Sequence, residues 1–301
     1  MYHFIFWRWY YINNIKIGFI GPGKVCINLA RYFTHYNLNV VGIYGRNKNH
    51  NDDIFISHKC EYFNKIEDLI KQCNIIFITT PDDIISKIDL ELSRFDLRNK
   101  SVCHCSGSLN SQVLSNVKHA NALVYSIHPL FAFSNKNIPI EDLKHMYFSI
   151  EGDKLYKNSN INELKIIKIL KNIPNKFFIR NADYSVQYHI ANVMASNFIL
   201  SLLNIAVDYM KMQNISEEEA LNALKPLIQN NINSIFSRGF KNSLTGPAVR
   251  NDINTILKHK EKLKAEHINL YDTLSLNLLK ISDENANEKY AEMCELLRSG
   301  I

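Results

Sequence analysis

Four polar side chains, Ser185, His189, Asn192 and Ser196, interrupt an apolar run. They sit in "YSVQYHIANVMASN", residues 184–197, which continues as "FILSLLNIAVDYM". At about 100° per residue the four fall within roughly a 60° arc of one helix face. Past Ser196 the same face reads Ile199, Leu200 and Leu203, so the polarity is confined to the first turns. A solvated helix stays polar along its outer face, whereas a helix whose head lines a cleft and whose tail enters a core reads as this one does. An imidazole titrates near neutral pH, so His189 could move a proton. The plainer alternative is a histidine satisfied inside a core.

A second set of reactive types stands in "LTGPAVRND", residues 244–252, where Arg250 and Asp252 follow Gly246 and Pro247. The planar fork of an arginine suits a substrate carboxylate. An equal reading makes Asp252 the N-cap of the next helix and leaves Arg250 in solvent.

The strongest local signal is "GFIGPGKVCINLA", a strand, a glycine-rich turn and a helix start. Gly21 permits the tight turn and Gly23 permits close backbone approach to a pyrophosphate. The helix start, from Lys24 and Val25, supplies the anion site. Cys26 takes the third small position. The second strand ends "YGRNKN", where Arg46, Asn47 and Lys48 offer cations and no acid, which favours a 2′-phosphate and hence NADPH over NADH. Three more loops leave the carboxyl ends of strands. They are "TTPDD" with Thr79, Thr80 and Pro81, "CSGSL" with Ser106, Gly107 and Ser108, and "HPLFAF" with His128. The hydroxyls of the first could meet a cofactor or cap a helix. Ser106 and Gly107 could meet a nicotinamide amide, with Ser108 a substrate contact or a cap. His128 is held extended by the following proline, and for it a structural bond to a backbone carbonyl is the stronger reading.

The elements that must position these residues alternate. From Ile15 to about Arg180, short β-branched runs alternate with amphipathic helical patterns, as a doubly wound, mainly parallel α/β sheet requires. After Asp183 the strand signal stops. Helices are expected over about 184–212, 216–238 from a capped "SEEEA", 252–280 with a break near Lys264, and 283–298. The domain reading is therefore an arm at 1–14, a dinucleotide-binding domain at 15–182 and an all-α domain at 183–301.

Composition sets the outer bounds. The 301 residues are 46% hydrophobic and 21% charged, ordinary for a soluble globular chain. The net charge of +6 is scattered, which argues against nucleic acid and suits a small anionic ligand. Six cysteines lack disulfide or zinc spacing, so a reducing cytoplasm is expected. In "CHC", Cys103 and Cys105 point to one side of a strand and His104 to the other, which reads as buried strand residues and no metal site. The aromatic start "MYHFIFWRWYYINN" is too short and interrupted to be a signal or span, and no later run is expected to cross a bilayer.

Taken in order, "GPGKV", "TTPDD", "HCSGSL", "HPLFAF", "EGD", "YHIANVMASN" and "LTGPAVRND" resemble the family that joins a Rossmann-like domain to a domain of unknown function numbered 2520. That family is related to the pyrroline-5-carboxylate reductase and 6-phosphogluconate dehydrogenase-like group and includes alternative ketopantoate reductases. Asn251 stands where the family often has glycine, and so does Cys26. The resemblance implies an NADPH-dependent reductase of a small 2-keto acid, ketopantoate first, acting as a homodimer through the helical domain. His189 would then be the acid, Asn192 and Asn197 would orient the carbonyl, and Arg250 would hold the carboxylate. Ser108, His128, Ser196 and Asp252 would be further substrate contacts. An imine reductase of the pyrroline-5-carboxylate type and a non-catalytic NADP(H)-binding regulator are the rival readings.

Overall fold

The run "IIFI" forms strand β4 (Ile75–Ile78), and its four side chains alternate between two cores. Ile75 and Phe77 pack on one face of the sheet, Ile76 and Ile78 on the other. Cover on both faces is why these strands read as unbroken apolar runs. The computed structural model describes residues 14–46, 60–155, 160–283 and 286–298. Nearly all of the expected arm lies outside the described residues, as do Asn47 and Lys48.

Seven further strands complete one sheet: β1 (Lys16–Ile20), β2 (Asn39–Tyr44), β3 (Glu61–Phe63), β5 (Ser101–His104), β6 (Leu123–Leu130), β7 (Tyr147–Gly152) and β8 (Phe177–Ile179). Their order is β3-β2-β1-β4-β5-β6-β7-β8. All neighbours are parallel except β6 and β7, whose antiparallel register sets His128 opposite Ser149. The chain's direction across the sheet reverses between β1 and β4, the switch point where doubly wound sheets open a crevice at the strands' carboxyl ends. Helices α1 (Lys24–His35), α2 (Ile66–Gln72), α3 (Asp82–Leu92), α4 (Ser115–His119), α5 (Ile140–Leu143) and α6 (Lys165–Leu170) accompany the strands. Strand β3 was not expected; with three residues at a sheet edge it carries too little pattern to stand out.

Cys103 packs into one core, with Cys105 against it, while His104 points the other way and its Nε2 lies 3.1 Å from the Asn110 carbonyl. Burial brings the His104 pKa down to about 4. The three side chains of "CHC" diverge as strand geometry demands.

Helices follow β8. The single helix expected over 184–212 is two, α7 (Ser185–Ala195) and α8 (Asn197–Lys211), because the backbone leaves helical geometry at Ser196 (φ −128°, ψ −73°). The expectation that no later run suits a bilayer is also corrected: residues 182–211 are long and apolar enough by composition, and little of that stretch is buried.

The chain divides into two compact units, one ending at Ser201 and one starting at Leu202. The second holds α9 (Glu217–Arg238), α10 (Ile253–Lys262), α11 (Ile268–Ser282), α12 (Ala286–Lys289) and α13 (Ala291–Arg298). Ser216 and Glu219 form a reciprocal capping box at the start of α9. A short 3-10 turn at Ala265–His267 makes the break expected near Lys264. The unit's core is small, built on Ile256, Leu279, Met293 and Leu297, and the buried Asp272 is held by Lys260 at 2.8 Å.

Candidate functional site

The glycine turn between β1 and α1 is built as a cradle. Gly21 has φ +99°, and a Cβ there would lie 2.8 Å from Thr80 Cγ2, so only glycine fits without strain. Its N–H donates to the Tyr44 carbonyl at 2.9 Å, tying the turn to the end of β2. At Gly23 the situation is the reverse, since a Cβ would meet nothing closer than the Thr79 carbonyl oxygen at 3.9 Å. Gly23 is the N-cap of α1, and no side chain caps this helix.

A cavity of about 550 Å³ opens over this cradle, lined among others by Pro22, Gly23, Arg46, Thr80, Pro81 and Lys87. Thr80 Oγ1 is buried without a hydrogen-bond partner, a polar atom waiting for a ligand. Thr79 is otherwise engaged: its hydroxyl donates to the carbonyls of Ile20 (3.0 Å) and Gly21 (2.8 Å), so it braces the turn. Val25 packs against the core and can offer a ligand only its backbone. Cys26 is fully buried, in keeping with the small residue that position needs.

Ser106 and Gly107 do not line that cavity; they belong to a neighbouring cluster. Asp82 Oδ2, at the start of α3, accepts from the hydroxyls of Ser106 (2.7 Å) and Ser108 (2.6 Å). The loops after β4 and β5 are thereby clamped together. Ser108 is not a cap, since Asn110 caps the following 3-10 turn. On β6 the side-chain row turns from apolar Val124 to Ser126 and His128 towards the carboxyl end.

His128 does not bond a backbone carbonyl as the structural reading expected. Its Nδ1 lies 2.8 Å from the hydroxyl of Tyr188 on α7, with the two rings edge to face. Arg180 stacks over the Tyr188 ring, 5.1 Å from its centroid, and donates to Ser126 Oγ (2.8 Å) and the Leu109 carbonyl (3.1 Å). Glu151, also buried, accepts from the hydroxyl and the N–H of Ser111 and lies 3.9 Å from Arg180. Burial brings the His128 pKa down to about 4, helped by the positive Arg180 and by His189. Burial likewise pushes the Tyr188 hydroxyl up and the Glu151 carboxyl up.

Along α7 the polar stripe divides. Ser185 is structural, bonded by Arg180 and donating to the Ala182 carbonyl at 2.7 Å. His189 Nδ1 and Asn192 Nδ2 are buried without partners, as ligand-facing groups would be. Ser196 is spent on the helix break, donating to the Asn192 carbonyl at 2.6 Å with Asn197 Oδ1 at 3.0 Å, and both residues are exposed. In the second unit, Asp252 caps α10 through Thr255 N (3.1 Å) and Thr255 Oγ1 (2.7 Å), so its expected substrate role gives way to capping. Arg250 shares the loop in which Gly246 has φ +102° and Asn251 φ +58°. Asparagine tolerates that left-handed conformation, which explains how it replaces a glycine there. Among the described residues no group of three or more His, Cys, Asp or Glu could hold a metal ion.

Residues 146–278 match the family described as "Domain of unknown function (DUF2520)". The match starts at Met146, so the matched stretch takes in β7 and β8 of the sheet as well as α6 to α10 and most of α11. No curated protein matches the chain. Among solved structures it is similar to a Bacteroides fragilis protein with an NADP-oxidoreductase assignment, at 21% identity and TM-score 0.69, over 89% of this chain and 98% of that one. A Thermotoga maritima protein aligns at 24% identity and TM-score 0.59, covering 94% and 99%. Plasmodium falciparum pyrroline carboxylate reductase with NADP bound aligns at 18% identity and TM-score 0.61, also covering 94% and 99%. These likenesses establish the Rossmann-type fold with its helical C-terminal region.

Proposed function

We propose that the protein is an NADPH-dependent reductase of a small 2-keto acid, with ketopantoate to pantoate as the first assignment. The observation that carries this reading is the uncapped start of α1 beside the open face of Gly23, with the unpartnered Thr80 hydroxyl and Arg46 lining the same cavity. An anion-binding helix start, a backbone without a side chain and a cation at the end of β2 suit the pyrophosphate and 2′-phosphate of NADPH. When bound, that cofactor supplies the hydride. The chain's own residues do the rest. Gly23 and the first turn of α1 hold the diphosphate, Thr80 donates to it or to the ribose, and the Asp82 clamp fixes the loop that carries Ser106 and Gly107. His189 and Asn192 present unpartnered polar atoms for the substrate, and the planar fork of Arg250 suits a carboxylate. An NADP-bound relative in fold that reduces a pyrroline carboxylate keeps the imine substrate as the second reading.

Large apolar side chains on α7 and α8 stand in solvent in the single chain, among them Met194 at 58%, Phe198 at 53% and Leu200 at 70% exposed. We assign their cover to a second copy of the chain, with the polar His189, Asn192 and Asn197 arguing against a lipid partner. The six free cysteines suit a reducing cytoplasm. Complementation of a strain lacking ketopantoate reductase tests the substrate. Growth supports the reading, and failure with turnover of pyrroline carboxylate moves the assignment to imine reduction.

A further inference from the structure

We propose that His128, not His189, delivers the proton in this reaction, and that Tyr188 serves it as the next member of a two-residue relay. The inference rests on the reductase reading and names the acid within it.

Three observations carry the proposal. First, the relay is already assembled, since Tyr188 Oη and His128 Nδ1 are 2.8 Å apart. Tyr188 is a strong phenolic donor, and Nδ1 accepts only if the ring carries its proton on Nε2. Second, Nε2 makes no hydrogen bond among the described residues, and its end of the ring faces Gly107. A Cβ on Gly107 would stand 3.0 Å from Nε2 and 3.1 Å from each of its two ring neighbours, so the bare glycine keeps the approach to Nε2 clear. Third, the relay ends beside a cation that offsets part of the burial cost of a phenolate there. The Arg180 guanidinium lies over the Tyr188 ring and is itself fixed by Ser126 and Leu109. By contrast, His189 Nδ1 is buried with no partner to set its tautomer.

The step balances without a further reactant. As the substrate carbon is reduced, the electron pair of its C=O (or C=N) bond moves onto the heteroatom. That atom takes the proton from His128 Nε2. Nδ1 takes the proton of the Tyr188 hydroxyl, so the imidazole ends neutral as the other tautomer. After product leaves, Nε2 takes a proton from water as Nδ1 returns its own to the phenolate, which restores the starting tautomer and the Tyr188 hydroxyl together. A neutral imidazole is the form a relay needs, and burial beside Arg180 keeps His128 in that form at neutral pH.

Two measurements test it, one of them independent of turnover. The ¹⁵N shifts of His128 in the protein without ligand should show a neutral ring protonated on Nε2 at pH 7; protonation on Nδ1 would overturn the relay. In NADPH oxidation by the keto or imine acid that the wild type turns over, Tyr188→Phe and His128→Gln should each lower kcat about 100-fold while the Kd for NADPH stays within a factor of about three. Gln keeps a donor amide in place but cannot transfer a proton, so a near-normal rate for His128→Gln reduces His128 to positioning and sinks the proposal. Gly107→Ala, whose backbone carries no left-handed strain, should lower kcat by crowding Nε2. A loss confined to His189→Ala, with Tyr188→Phe active, restores His189 as the acid. If the wild type oxidises NADPH with no such acid, the reductase reading fails and the relay with it. A wild type that is active, with active Tyr188 and His128 variants, is the failure of the relay alone.

Discussion

His128 of β6 and Tyr188 of α7 meet at 2.8 Å, Nδ1 to hydroxyl, across 60 residues of sequence. The contact fastens the head of α7 to strand β6 of the sheet. It also explains why α7 begins with buried polar groups. Ser185 and Tyr188 are consumed by Arg180 and His128, which leaves His189 and Asn192 with free valences one turn on.

The glycine cradle gives the first prediction. At φ +99° and with Thr80 in contact, Gly21→Ala is strained by about 1–3 kcal/mol in backbone terms alone. It should lower the denaturant midpoint and weaken NADPH binding at least tenfold by calorimetry. Binding equal to wild type would show that the turn is not the phosphate site.

Arg46 gives the second. A cation bonded to a phosphate is worth about 1.5–3 kcal/mol, so Arg46→Asp should weaken NADPH by about 10- to 100-fold and improve NADH. A parallel loss of both cofactors would assign Arg46 to the loop's structure and not to the 2′-phosphate.

Acid stability supplies the third. The folded pKa values of His104 and His128 are about 4, below the usual histidine range, so the unfolded chain binds the extra protons. Nothing is lost above about pH 6.5. As pH falls from there to about 4, each histidine removes on the order of 1.4 kcal/mol per pH unit. Arg180, His189, Tyr188, Asp82 and His104 are the groups that set the His128 charge cost. Urea unfolding at pH 7, 5.5 and 4.5 should therefore show a shallower pH slope for His128→Asn than for wild type. An unchanged slope would mean that His128 titrates normally in the fold.

Capping supplies the fourth. Asp252→Ala should cost about 1 kcal/mol of helical-unit stability while leaving the KM for the keto acid within a factor of about two. A large rise in KM without loss of stability would return Asp252 to the substrate.

The strands up to β6 other than β3, and the glycine turn, were legible because period and punctuation agree there. "IIFI" bounded by "TTP" admits little else. Three features were hidden for physical reasons. β3 is three residues long at an edge. The break at Ser196 follows no glycine or proline, and an apolar run conceals it. Tyr188 sits beside the polar stripe on the helix wheel but reads as an apolar residue, so its hydroxyl and the partner on β6 escape any local pattern. Asp82, Glu151 and Arg180 escape for the same reason, since their roles come from strands and loops brought together by the sheet. His128 is singled out by the sequence, with a bond to a backbone carbonyl as the stronger reading and a substrate contact as the other; a tyrosine 60 residues away takes the carbonyl's place.

Steady-state oxidation of NADPH in the presence of ketopantoate tests the central claim most directly. The account predicts saturable, ketopantoate-dependent oxidation with pantoate as product, and an Arg250→Met protein whose KM for ketopantoate rises at least tenfold. No oxidation with ketopantoate or with pyrroline carboxylate, from protein that binds NADPH tightly, would contradict it and make the chain a nucleotide-binding protein without this chemistry.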